Sequence, residues 1–195
     1  MAVSADPLTP RAREIVAAGR VLLERDGPAG LSMRAVAAEL GIRAASLYKH
    51  LPNKDALETA LVAAGLTEIG ECFEEAVVGS ADPLRSLAVA YRQWALEHPH
   101  LYRLSTDRPL ERDRLAPGVE ERPAAVLVAA CGGDEHAARA AFAFAHGMVM
   151  LELAGRFPPH ADIHAAWRRG IDGLRPPASP PPASAGTRSP DLSPR

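Results

Sequence analysis

The stretch LSMRAVAAELGIRAASLYKHLPNK, residues 31–54, decides how the rest of the chain is read. Ser32 carries the hydroxyl of a helix N-cap, able to accept from a free backbone N–H one turn on. Val36, Ala37 and Leu40 follow as an apolar stripe, and Gly41 offers the positive φ at which a helix ends. Ile42 and Leu47 resume the apolar face after a tight turn. Ala37, Gly41 and Leu47 together fit a helix-turn-helix, in which small residues let two short helices cross closely. The charge is lopsided: Arg34, Arg43, Lys49 and Lys54 stand against one acid, Glu39, between residues 32 and 54. The second helix offers Arg43, Ala44, Ala45, Tyr48 and Lys49 outward, as a helix entering a DNA major groove should.

Composition sets the frame around this stretch. The 195 residues are 47% hydrophobic but only 5% aromatic, and the excess of Ala and Leu over β-branched and aromatic runs predicts an all-α fold. Net charge is −2, so the positive charge is local to the opening stretch rather than global. A DNA-binding domain joined to a non-binding one has that pattern. Cys72 and Cys131 are far apart, match no metal spacing and read as small buried hydrophobes. The N-terminus lacks a signal-peptide core, and no run reaches the roughly 18 apolar residues of a membrane helix. A cytoplasmic protein is expected.

In chain order, residues 1–8 read as a flexible arm. Thr9 and Pro10 start a first helix whose stripe is Ile15, Gly19 and Leu22, ended by the DGPAG turn at 26–30. Residues 9–54 form the helix-turn-helix domain, and 55–79 a connecting helix carrying Leu57, Leu61, Ala64, Ile69 and Phe73. A second helical domain occupies 80–175. Asp82 or Ser80 caps its first helix, Pro99 restarts a short one, and residues 106–117 form a charged loop. A helix over 119–131 tolerates Pro123 in its first turn. Asp134 caps a helix apolar nearly all round, which should be buried on more than one side, and Asp162 caps the last. Residues 176–195, rich in Pro, Ser and Ala, read as a disordered tail.

The run LYKHLPNKDAL at 47–57 resembles the L-Y-x-H-F-x-N-K-x-x-L pattern of the TetR family of bacterial transcription regulators, with Leu51 in place of the usual aromatic residue. That departure should loosen packing between the third and fourth helices. The resemblance implies that Tyr48, His50 and Lys54 contact DNA phosphates, with Ser32 doing so at the start of helix two. It places Arg34, Arg43, Ala44, Ala45 and Lys49 at the base-reading face. The chemistry agrees: Tyr, His and Lys are common backbone donors, Arg can take the guanine edge, and an Ala methyl can meet a thymine methyl. YRQWALEHPHLYRL (91–104) and AHGMVMLELAG (145–155) resemble the WHG type of TetR C-terminal domain through Trp94, His146 and Gly147. In that family this domain binds a small-molecule effector and forms a homodimer through its last two helices.

Two readings of the second domain stay open. Trp94 and His98 are four apart, as are His146 and Met150. With Tyr91, Tyr102 and Phe142 they could line an effector pocket. Alternatively they are core, with His146 satisfying a buried carbonyl and Gly147 permitting close helix contact. His160 and His164 share a helical spacing but lack a third ligand, so no metal or cofactor is implied. Glu68, Glu71, Glu74 and Glu75 read as a solvated helix face, and Glu111, Arg112, Asp113 and Arg114 as solvated loop charge. The leading expectation is a homodimeric, ligand-responsive repressor bound to a palindromic operator. A ligand-independent activator or architectural DNA-binding protein is the next reading. An enzyme or carrier finds no nucleophile elbow, phosphate loop, paired carboxylates or metal cluster to support it.

Overall fold

The computed structural model describes residues 8–175, and every regular element among them is helical. The expected arm and proline-rich tail fall, but for Leu8, outside the described residues. Helix α1 spans Pro10–Gly30, with Thr9 Oγ1 accepting from the amide of Ala12 at 3.2 Å and Pro10 in the first turn. It breaks at Gly27, where φ is 71° and ψ −176°, just before Pro28. That break is narrower than the five-residue turn the sequence suggests, because only Gly27 leaves the helical region.

Helix α2 (Met33–Glu39) begins at Ser32, whose Oγ accepts from the amide of Ala35 at 3.1 Å. It ends on Gly41 at φ 64°. The Ile42 amide donates to Ala37 O at 2.9 Å and the Gly41 amide to Ala38 O at 3.0 Å, a Schellman closure. Helix α3 (Ala44–Leu47) is one turn, prolonged by donation from the His50 and Leu51 amides to Leu47 O. Leu47 and Leu51 are buried, so the aliphatic residue at 51 fills its place in the core.

Helix α4 (Lys54–Val77) is capped by Asn53, whose Oδ1 accepts from the Ala56 amide at 2.8 Å. Its 24 residues give a rod of about 36 Å. Leu57 and Leu61 pack with Ile15, Leu22, Val36 and Leu47, while Ile69 and Phe73 join the core of the second half. Gly19 lets α1 approach here; a Cβ on it would lie 3.1 Å from Leu57 Cδ1.

The second half comprises α5 (Pro83–Glu97), α6 (Pro99–Thr106), a 3-10 turn (Arg112–Arg114), α7 (Glu121–Ala130), α8 (Glu135–Leu153) and α9 (Ile163–Gly173). Asp82, Asp134 and Asp162 cap α5, α8 and α9. Pro123 sits in the first turn of α7. One helix departs from expectation. On α8 only Ala138, Ala141, Ala145 and Val149 are buried, and Phe142 and Leu151 are 49% and 43% exposed. Within one chain, α5, α7 and α9 cover a single side of it.

Two other expectations are corrected by long-range pairs. Glu68 does not lie on a solvated face: it accepts from Arg20 of α1 and, at 3.4 Å, from Trp94 Nε1 of α5. Glu74 takes two hydrogen bonds of 2.6 Å from Arg122 of α7, which also pairs with Glu71. In the 106–117 segment, Arg114 is only 20% exposed and bonds Asp55 of α4 at 2.6 Å. Glu68 is drawn in between α1 and α5, and Arg114 where the loop folds back along α4, whereas Glu71 and Glu74 stay exposed beside Arg122.

Candidate nucleic-acid interface and inner cavity

The expected DNA-contacting side chains collect at one end of the molecule, on α2, α3 and the start of α4. Arg34, Arg43, Ala45, Lys49, His50 and Lys54 are exposed, Tyr48 is 51% exposed, and Ala44 is half-buried. Arg34, Arg43 and Lys49 enter no ion pair among the described residues. Ser32 uses its oxygen lone pair to cap α2, which leaves its O–H free to donate to a phosphate. Lys54 is engaged: its Nζ lies 3.4 Å from Glu58 Oε1 and 3.5 Å from Pro28 O. Ser46, exposed on α3 between Ala45 and Leu47, is a polar group the sequence reading passed over. Its place beside the exposed Ala45 could have revealed it.

The second half holds a small, partly open apolar cavity lined by Phe73, Leu84, Leu87, Ala88, Tyr91, Leu127, Ala141, Phe142, Ala145 and Ile171. Its volume is ≈ 20 Å³, room for about one water. Of the anticipated pocket residues, Tyr91 and Phe142 form its wall. Tyr102 and His146 stand behind Tyr91: Tyr91 Oη is 2.9 Å from Tyr102 Oη, which is 2.6 Å from His146 Nδ1. The ring of His146 stacks on Phe142 at 6.1 Å between centroids. Burial pushes the Tyr91 phenol far above its usual range, and pushes that of Tyr102 up to about 12 despite the hydrogen bond from Tyr91. Both phenols stay neutral, so each has one proton to donate.

That fixes the polarity of the chain. If Tyr91 donates to Tyr102 and Tyr102 to His146 Nδ1, every buried hydroxyl proton has an acceptor. The reverse order would strand the Tyr91 proton against apolar walls, at a cost of about 1–3 kcal/mol. On this polarity His146 Nδ1 is the terminal acceptor.

Trp94, His98 and Met150 do not line the cavity. Trp94 packs on Gly65, where a Cβ would lie 3.5 Å from its ring, and bonds Glu68. His98 meets Trp94 edge-on at 5.6 Å. Met150 is half-buried against the core. Nor does His146 satisfy a backbone carbonyl; it takes a phenol instead. Gly147 has no atom within 4 Å of where its Cβ would be, so within the chain it serves no close helix contact. The wall residues missed from the sequence (Phe73, Leu84, Leu87, Leu127) sit on ordinary apolar stripes, which mark burial but not the hollow between helices. A second hollow, a groove of ≈ 570 Å³ between α5 and α9, is lined by Val89, Leu96 and Trp167 together with Arg85, Arg92 and Arg168.

Helix α6 links the two ends. Glu24 of α1 accepts from the amides of His100 and Leu101 at 3.2 and 2.9 Å, capping the α6 N-terminus. The next residue, Tyr102, joins the hydroxyl chain. Cys72 and Cys131 are free thiols raised in pKa chiefly by burial, and nearby carboxylates add to the effect. No helix among the described residues is long and apolar enough to cross a membrane.

Known proteins share both halves. Residues 15–61 match the family described as bacterial regulatory proteins, tetR family, and residues 84–174 match the tetracyclin repressor-like C-terminal domain. The chain is 33% identical over 151 residues to an uncharacterized HTH-type transcriptional regulator, Rv0681, of Mycobacterium tuberculosis, covering 72% of this chain and 69% of that one. It superposes on a TetR variant from Acinetobacter baumannii AYE in complex with minocycline, with TM-score 0.58 and 27% identity over 82% of this chain and 91% of that one. On the multidrug binding protein EbrR complexed with imidazole the values are 0.61 and 26%, over 88% and 98%. The helix-turn-helix half and the helical second half are thus both matched, in sequence and in fold, and the chain belongs to the TetR family of DNA-binding transcriptional regulators.

Proposed function

We propose that this regulator is a cytoplasmic homodimeric repressor, without enzymatic activity, that leaves a palindromic operator when a small molecule enters its second half. Residues 9–54 serve as the DNA reader, 55–79 as the connector and 80–175 as the effector-binding and dimerising unit. Ser32, Tyr48, His50 and Lys54 hold phosphates, and Arg34, Arg43, Ala44, Ala45 and Lys49 meet base edges. The reading is carried by the span of α6, from the Glu24 cap on the DNA-reading half to the Tyr102 hydroxyl that bonds Tyr91 of the cavity wall. One short helix touches both, so a ligand that displaces Tyr91 and Tyr102 also moves α1.

Dimerisation uses the open side of α8. Ala140, Ala143, Gly147, Leu151 and Ala154 recur every three or four residues along it, exposed or half-exposed, small or apolar. Burying this stripe against a second copy holds two α3 helices at one separation, and operator half-sites one DNA turn apart, roughly 34–36 Å, require a fixed one. An effector weakens operator binding only through a preference for the other spacing, since equal affinity for both states shifts nothing. The α5/α9 groove is the alternative effector site, favoured by a volume in the range of ligand pockets, about 300–1,000 Å³.

The test is a gel-shift with DNA flanking the protein's own gene, repeated with a metabolite panel. Retardation relieved by a ligand is expected. A protein that retards no such DNA yet turns over a substrate refutes the reading. Lys54→Ala should weaken binding to all sequences alike and lower the salt slope by about one. Arg43→Ala should instead alter preference at a single operator position. Loss of ligand response in Tyr91→Phe or Tyr102→Phe assigns the inner cavity, and loss in Leu96→Trp the groove.

A further inference from the structure

We propose that the segment joining α6 to α7 is an electrostatic latch on the DNA-binding surface, with Arg108 as the positioning residue that frees Lys54 for a phosphate. This rests on the phosphate role given to Lys54 above. Glu58, one turn into α4, is the pivot. Its side chain is only 12% exposed and faces two cations: Lys54 of its own helix at 3.4 Å and Arg108 of the connecting segment at 2.9 Å. A carboxylate so far withdrawn from water holds on to a cationic partner. It has two to choose from, and only one of them is needed by DNA.

The local chemistry favours Arg108 as the partner Glu58 keeps. Lys54 precedes Glu58 by four residues, the weaker order for such a pair on a helix. It also sits in the first turn, where the helix dipole opposes a cation. Arg108 has neither handicap. Beside it, Arg114 bonds Asp55 at 2.6 Å and pairs with Glu111, which pins the segment to the same face of α4. With the segment docked, Glu58 is neutralised from outside the helix and Lys54 can turn to a phosphate. With the segment lifted, Glu58 draws Lys54 back from the DNA. Arg108 lies two residues beyond the end of α6, which carries Tyr102. A shift of α6 therefore reaches Lys54 by a route separate from the Glu24 cap.

The experiment measures affinity of the full-length protein for a labelled random-sequence duplex at low salt, by fluorescence anisotropy, because a phosphate contact needs no particular sequence. Arg108→Ala is expected to weaken binding about three- to tenfold, the effect of a partly exposed charge pair counted in both subunits. In a Glu58→Gln background the same change should have no effect, and Arg108→Lys should bind like the parent. Lys54→Ala should weaken binding, and adding Arg108→Ala should cost nothing more. An Arg108→Ala protein that keeps full affinity overturns the latch while leaving the phosphate role of Lys54 standing. A loss that persists in the Glu58→Gln background also overturns it, because Arg108 then acts on DNA directly. If Lys54→Ala is silent, the phosphate role itself fails, and the latch with it.

Discussion

Glu152 ties three helices together through one carboxylate. From α8 it accepts from Arg92 of α5 at 2.6–3.0 Å and from Trp167 Nε1 of α9 at 2.7 Å. Burial alone would raise its pKa, but the Arg92 and Trp167 hydrogen bonds outweigh it and the net shift is downward. A carboxylate whose folded pKa lies below the unfolded value of about 4.3 contributes stability in full above that pH. The contribution is lost as pH falls through the folded value. Glu152→Gln should therefore lower stability at pH 7 by about 2 kcal/mol, the worth of hydrogen bonds to a charged group. The deficit should shrink as urea melts are taken toward pH 3. A deficit independent of pH would mean that the carboxylate's charge is not what the site uses. The Tyr91–Tyr102–His146 chain is polar in another way, since its two phenols carry no charge and order the cavity wall by direction of donation alone.

Helix α6 has eight residues, too few to be stable alone, and it persists because both flanks are held. Glu24 satisfies two of its first amides, Leu101 and Tyr102 are almost wholly buried, and Leu101 packs on Gly65 of α4. Glu24→Ala should cost about 1–2 kcal/mol, as loss of an N-cap does. Hydrogen exchange should rise at the His100 and Leu101 amides but not along α8; a uniform rise would show global destabilisation instead of a lost cap. The elements themselves were legible because their signals are local. Thr9, Ser32, Asp82, Asp134 and Asp162 each announce a helix within three residues of where they cap it, and Gly41 marks its turn. What the sequence hides is pairing across distance. Glu24 meets α6 76 residues on, and Arg114 finds Asp55 59 residues back. A charged side chain looks solvated until the element that covers it is known, and Glu68 and Arg114 are covered by elements distant in sequence. The DNA-facing positions needed no such knowledge, since they lie within one contiguous stretch.

At the scale of the whole molecule, the chain is covered everywhere that α8 faces inward and bare where it faces out. Leu151→Glu places a charge on the bare stripe without disturbing the buried Ala138–Val149 side. It should yield a monomer in analytical ultracentrifugation with an unchanged helical spectrum, and operator affinity should fall by at least about a hundredfold, since each half-site is then bound alone. A dimer that survives the substitution would place the interface elsewhere. The inner cavity bears on time as well as affinity. If the effector site is this cavity, a space for one water must widen by movement of Tyr91 or Phe142 before a larger ligand fits, and the apparent dissociation constant is the intrinsic one divided by the widened fraction. Uptake then follows a gated course: at high ligand concentration its rate stops climbing and settles at the rate of opening.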